Sequence, residues 1–329
     1  MGSQDRARAN SFDALRLLAA LAVIFHHVRP VAGLAPIRLF STDFGQLGVG
    51  VFFVISGFLV TVSWRRSARA GDYLKKRLLR IEPALIASVA ITALVLGAAV
   101  TTLPLADYFQ RREVWLYVAR NALMYPVTYS LPGVFEHNPM PGIVNASLWT
   151  LRLEFTGYLA LMLLGILGVL RVRIVAALAL VAAATALVLH VAAPQLQTHE
   201  PLRLIDLGAL NGFLFLAGAV LQLRDRPTPL WAVAISALLL PTPLWFLGLP
   251  AVTVAIGALR SPRLPGDISY GLYVWAFPLQ QILAASGCLS FGASVLATAP
   301  LAAASWWLIE KPALRLKPKR GGNGANDGT

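Results

Sequence analysis

The sequence predicts an all-α, polytopic transmembrane helix bundle of about ten spans with both termini cytoplasmic. Three observations carry that reading. Of 329 residues, 57% are hydrophobic and only 13% charged, and the mean hydropathy of +0.68 lies outside the soluble globular range. Apolar runs long enough, or nearly so, to cross a hydrocarbon core of about 30 Å lie near 12–31, 45–64, 79–100, 147–170, 174–193, 203–223, 229–241, 243–259, 268–287 and 289–309. Basic residues are skewed along the chain. The N-terminal tail, the 65–78 loop, the stretches 171–173, 224–226 and 260–263, the C-terminal tail and the helix ends abutting them hold most of the 28 Lys and Arg. The exceptions are Arg29, Arg38, Arg111, Arg112, Arg120, Arg152 and Arg203. The positive-inside rule then puts both termini in the cytoplasm.

The first span begins at "NSFDALR", where Asn10 or Ser11 can cap the helix and Asp13 sits in the favourable first turn. Asp13 can pair with Arg16 at i,i+3. Arg29 and Pro30 follow this run where a cleavage site would need small residues, so the first span is expected to be retained. The segment 101–147 contains "DYFQRREVWLYVARNALMY", whose Tyr, Trp and Arg favour an interfacial amphipathic or re-entrant helix. Residues 1–320 form the membrane domain and 321–329, "GGNGANDGT", a tail without core-forming content.

Composition excludes several function classes. The net charge of +13 is accounted for by topology, which removes the case for nucleic acid as a partner. The single Cys288 allows no disulfide framework or thiolate cluster, and the His and carboxylate spacings suggest no metal.

Polar residues inside the spans point to chemistry, because intramembrane ionisable groups are costly and default to functional or paired roles. In "LRLLAALAVIFHHV", residues 15–28, Arg16 and His27 are eleven residues apart and share a helix face about 16 Å apart along the axis, with His26 turned about 80° away. Glu154 falls at a depth similar to His27 in the outer third of the membrane. Arg77 and Arg80 lie at i,i+3 on one face near the inner boundary. Guanidinium forks bind phosphate oxygens bidentately, so Arg16 and Arg80 can clamp a pyrophosphate. A plainer reading also fits single residues: Arg16 snorkels, Ser56 packs helices, and Tyr270 and Tyr273 fill the core.

Taken together, these motifs resemble acyltransferase family 3 of membrane-bound O-acyltransferases, in its polysaccharide and lipopolysaccharide O-acetylase branch. "FDALRLLAALAVIFHHV" resembles its first-helix element of Arg, ten residues and His, which selects Arg16 and His27. "GVGVFFVISGFLV" at 48–60 is similar to its second-helix signature, where Gly48, Gly50, Ser56 and Gly57 let helices approach. "RLLRIEP" matches its Arg-x-x-Arg element at Arg77 and Arg80, and "NASLWTLRLEFTGYL" brings Trp149 and Glu154. "DISYGLYVWAFPLQQ" and "IEKPALRL" resemble its ninth-helix and terminal motifs. The sequence departs at Ala276, where many members carry His, and at Arg152, where an uncharged residue is usual.

The resemblance implies acyl transfer from a cytoplasmic thioester, acetyl-CoA as donor, to a hydroxyl of a cell-surface polysaccharide or its lipid-linked precursor, in the bacterial inner membrane. His27 is then the general base or the covalent acyl carrier, and Glu154 orients it. Arg16, Arg77 and Arg80 hold the nucleotide end of the donor. Trp149, Ser56, Tyr270 and Tyr273 contact substrate, the last three as candidate oxyanion donors. Two alternatives accompany this reading: O-acylation of a small molecule such as a macrolide, and a proton-coupled transporter or flippase. The chain has no internal repeat, which counts against a transporter.

Overall fold

The computed structural model, which describes residues 11–259 and 264–318, is built almost entirely of helices. In chain order these are α1 (Phe12–Val31), α2 (Phe44–Arg65), α3 (Ala70–Val100), α4 (Leu105–Gln110), α5 (Arg112–Ala122), α6 (Leu148–Ile166), α7 (Val172–Ala192), α8 (Glu200–Leu223), α9 (Leu230–Leu239), α10 (Trp245–Gly257), α11 (Ser269–Ala285) and α12 (Phe291–Arg315). One antiparallel pair, β1 (Arg38–Leu39) with β2 (Thr42–Asp43), links α1 to α2. Asn10, the 260–263 segment and the 321–329 tail lie outside the described residues.

Every expected apolar run contains a helix. Six helices, α1, α2, α3, α7, α8 and α12, are long and apolar enough to cross a membrane. The others are shorter or carry charge: α9, α10 and α11 have 10, 13 and 17 residues, and the 19-residue α6 carries Arg152 and Glu154. The 101–147 segment forms the short α4 and an amphipathic α5, which buries Val114, Tyr117 and Asn121 and exposes Arg112, Trp115 and Arg120.

The core is organised around α2, which packs on α1, α8 and α10. Asp43 caps it, its side chain accepting from the Gln46 amide at 2.9 Å. The crossing with α8 brings backbones together. A Cβ on Gly57 would lie 1.8 Å from the Phe215 carbonyl oxygen, and one on Gly218 would lie 2.2 Å from that of Val54. Only glycine fits such a contact, the small-residue logic of membrane helix pairs. Ser11 does not cap α1 with its side chain. Its amide donates instead to the carbonyls of Gly257 and Leu259 at the end of α10, and its hydroxyl to that of Leu259.

Within apolar surroundings, each interrupted backbone group needs a new partner. Pro278 has no N–H for the Val274 carbonyl, which accepts instead from Asn145 Nδ2 at 2.9 Å and Ser88 Oγ at 3.4 Å. In α3 the turn widens to a π-helix over Thr92–Gly97, and the Tyr108 hydroxyl donates to Ala93 at 2.7 Å. On α11, Gln280 and Gln281 are fully buried. Gln280 donates to the Ile24 carbonyl at 2.8 Å, while Gln281 donates to the carbonyls of Met140 and Ile143 at 2.9 and 2.7 Å. These bonds fasten α1 and the loop before α6 to α11, and so hold α1, which lines both cavities, in place.

Candidate active site

Helix α1 presents Arg16 near its start and His27 near its end, and the two side chains enter different cavities. The first is an arginine cavity bounded by α1, α2, α3, α6 and α11. Arg16, Ser56, Arg77, Arg80, Glu154, Tyr270 and Tyr273 all line it. Seven of the nine residues selected from sequence therefore meet in one chamber. The other two, His27 and Trp149, line a second pocket. Val49 and Tyr273 belong to the walls of both, so the chambers abut there.

In the arginine cavity the three guanidiniums are not equivalent. Arg80 lies 2.5 Å from Asp267 and 3.6 Å from Glu310, and Arg16 lies 3.4 Å from the same Asp267 oxygen and pairs with Asp13. Burial opposes ionisation of Asp267, but Arg80 and Arg16 outweigh it and hold the carboxyl well below the usual carboxylate range. Among the described residues Arg77 has no carboxylate partner. Its guanidinium sits 5.9 Å from the Tyr158 ring centroid, and its Nε is enclosed without a hydrogen bond. An anionic ligand entering here meets Arg77 uncompensated and competes with Asp267 for the other two.

The α6 side of the cavity differs from expectation. Glu154 does not pair with His27; its Oε1 accepts from the Ser56 hydroxyl and from Tyr158 at 2.5 Å. Similar depth does not fix azimuth: the rotation of α6 turns Glu154 toward α2 within the arginine cavity. Ser56, an oxyanion-donor candidate whose plainer reading was helix packing, spends its hydroxyl on that carboxylate. The Tyr270 hydroxyl donates to the Ile81 carbonyl at 3.1 Å. The Tyr273 hydroxyl lies 2.5 Å from Thr150 Oγ1 and 3.2 Å from the Ser147 carbonyl, so both tyrosines are fixed by α3 and the start of α6.

The histidine pocket is lined by His26, His27, Asp43, Gln46, Ser147, Trp149 and Asn211, with Val23, Leu207 and Leu210 as apolar wall. The His27 ring packs edge-on to Phe277 at 5.0 Å and near His26 at 5.3 Å. Its Nδ1 is enclosed without a hydrogen bond, which leaves Nε2 as the nitrogen available to the pocket. His26 Nδ1 lies 3.0 Å from Asp43 Oδ1. Gly45 makes room for this ring, because a Cβ there would fall 2.6 Å from His26 Cγ. Burial disfavours the Asp43 carboxylate, yet the contacts from His26 and the Gln46 amide outweigh it and hold its pKa below the usual value.

Sequence reading missed four participants. Asp43 had a signal, as the polar residue before a glycine-rich apolar run. Asp267 stood in a quoted motif, but only folding brings it between Arg16 and Arg80. Glu310, 2% exposed, reaches Arg80 from α12. Lys317, just beyond α12, is pulled down to about 8 by burial and by the charges of Arg77, Arg80, Lys76 and Arg16. A fourth cation thus stands close to the arginine cluster. Elsewhere, the half-buried His190 pairs with the buried Asp206 at 3.2 Å.

Comparison with known proteins gives a consistent picture. A family model described as an acyltransferase domain matches residues 9–265. The chain is similar to nodulation protein 10 of Rhizobium leguminosarum bv. viciae, at 32% identity over 358 residues and 94% of each chain. It is also similar to an O-acetyl transferase of Shigella phage Sf6, at 28% identity over 340 residues, 95% of this chain and 98% of the relative. A third relative is the exopolysaccharide production protein ExoZ of Rhizobium meliloti (strain 1021), at 28% identity over 305 residues, 82% of this chain and 90% of the relative. No solved structure matches the chain.

Proposed function

The chain belongs to the acyltransferase domain family, and from that premise we propose that it moves an acetyl group from cytoplasmic acetyl-CoA to a hydroxyl of a cell-surface polysaccharide or its lipid-linked precursor. The observation that carries this reading is the pair of abutting chambers, one cationic and one imidazole-lined, that meet at Val49 and Tyr273. The O-acetyl transferase and the exopolysaccharide production protein among its relatives support the acyl group and the acceptor class. The protein is assigned ten spans in the bacterial inner membrane, with both termini and the arginine cavity facing the cytoplasm, in line with the skew of its basic residues.

Arg77, together with Arg16 and Arg80 once Asp267 yields, holds the phosphates of the donor. Its thioester then extends toward Tyr273 and the histidine pocket. His27 takes the acceptor hydroxyl proton as the oxygen attacks the thioester carbonyl, a contribution of typically about 10²- to 10⁴-fold. Collapse of the tetrahedral intermediate breaks the C–S bond, and the imidazolium returns its proton to the departing thiolate. Of the oxyanion-donor candidates, Ser56 and Tyr270 spend their hydroxyl protons on Glu154 and the Ile81 carbonyl, and Tyr273 would serve by turning from the Ser147 carbonyl. Tyr273 is favoured because it borders both chambers. Glu154 fixes Ser56 and Tyr158 on the donor side.

The test is release of free CoA from acetyl-CoA by the full chain in nanodiscs, with and without a glycan extract. Acceptor-stimulated release that His27→Ala abolishes supports the reading. A folded protein that neither binds acetyl-CoA nor releases CoA would sink it, and transport of a substrate across the bilayer would become the activity to assay.

A further inference from the structure

The histidine pocket carries more hydrogen-bonding capacity than proton transfer needs. Ser147 is 2% exposed, and its Oγ is enclosed without a hydrogen-bond partner on the pocket wall. A buried hydroxyl left unsatisfied is costly unless something supplies its partner. Asn211 is 4% exposed and spends Nδ2 on the Leu207 carbonyl at 2.8 Å, which leaves Oδ1 as an acceptor. Gln46 gives its Oε1 to the Thr42 hydroxyl at 2.9 Å and keeps its Nε2 donors. Asp43 commits Oδ1 to the Gln46 amide and to His26 and keeps Oδ2. Trp149, half-buried on the first turn of α6, adds an aromatic face to the same pocket.

Donors and acceptors thus line one pocket together with an aromatic side chain and the imidazole that would deprotonate a hydroxyl. That is the complement of a polyhydroxylated ring, which offers an apolar face to an aromatic and hydroxyls, each both donor and acceptor, around its rim. An apolar alcohol would leave Ser147, Asn211 and Gln46 unpaired. Resting on the acyl-transfer reading above, we propose that Trp149, Asn211, Ser147 and Gln46 form the acceptor subsite, and that it takes a single pyranose ring with one hydroxyl directed at His27. This places the acceptor's specificity in the pocket, on α2, α6 and α8.

A site built to bond a hydroxyl rejects an analogue lacking it far more strongly than an apolar pocket rejects a methylene. The experiment uses the full chain in nanodiscs, with methyl glucopyranoside and n-octanol as probe acceptors. CoA release from acetyl-CoA and saturation-transfer NMR of the sugar are both recorded. Stimulation of release by the sugar and not by octanol is expected. Asn211→Leu should raise the sugar KM at least tenfold and Trp149→Ala likewise, with Trp149→Phe restoring most of the loss. The acetyl-CoA KM should stay within twofold in all three. Equal stimulation by octanol, or variants whose sugar KM stays within twofold of wild type, would overturn the assignment. Saturation transfer to the sugar that Trp149→Ala removes, in a protein that releases no CoA with any acceptor, would uphold the sugar subsite and sink the acyl-transfer reading.

Discussion

His26 Nδ1 lies 3.0 Å from Asp43 Oδ1, joining the last turns of α1 to the cap of α2. The same carboxylate oxygen accepts from the Gln46 amide, so one side chain starts a helix and holds an imidazole beside His27. Asp43→Asn should lower acceptor-stimulated CoA release about tenfold or more, since a positioning group for an acid–base pair is weakened. The carboxyl is held below its ordinary value, so its contribution is fully present above about pH 4 and lost as pH falls through the lowered pKa. Rate profiles carried below pH 4, through the lowered pKa, check this. The wild-type profile should fall at its acid end through a limb that the variant lacks.

Asp267 sits between two guanidiniums at 2.5 and 3.4 Å and is 12% exposed. Removing one member of such an enclosed cluster leaves uncompensated charge, so Asp267→Asn should cost about 3–5 kcal/mol of stability. Thermal unfolding in detergent reads the loss. An unchanged midpoint would mean that Arg16 and Arg80 find other partners.

Of the three guanidiniums lining the arginine cavity, Arg77 is the one without a carboxylate partner among the described residues. Arg77→Ala should raise the acetyl-CoA KM by tenfold or more. Arg77→Lys should recover only part of it, because an ammonium lacks the planar fork. Steady-state kinetics with the donor varied separate this from an effect on acceptor binding.

Lys317 stands outside the membrane spans with its amine pulled down to about 8. In the absence of donor it carries its charge below that pH and loses it above. Donor affinity should therefore weaken as pH rises from 7 to 9, and Lys317→Met should flatten that dependence. The stability sign is opposite to that of a paired lysine. The native state disfavours the charged amine, so stability rises with pH from about 8 toward the ordinary lysine value near 10.4. Isothermal titration with acetyl-CoA across this range tests the affinity claim.

Much of the fold was legible because apolar run length and basic skew act locally and along the chain. The periodicity placed Arg16 and His27 on one face of α1, yet they enter separate chambers, because each end of the helix meets different neighbours. Ser56 fits both an oxyanion donor and a small residue for helix packing, and its spacing alone does not reveal its partner. Its bond to Glu154 joins residues 98 positions apart.

By itself the sequence determined that this chain is helical and membrane-embedded, which residues were too polar for their depth, and which motifs it shares with acyltransferases. Those properties depend on composition, spacing and order. The tertiary structure alone decided who meets whom. It put Asp267 between two arginines, gave His26 rather than His27 a carboxylate, and drew Ser147, Trp149 and Asn211 to one pocket. The reason is that helix rotation and crossing are set by close contacts such as Gly57 against Phe215, which couple residues far apart in sequence and leave no local periodic trace.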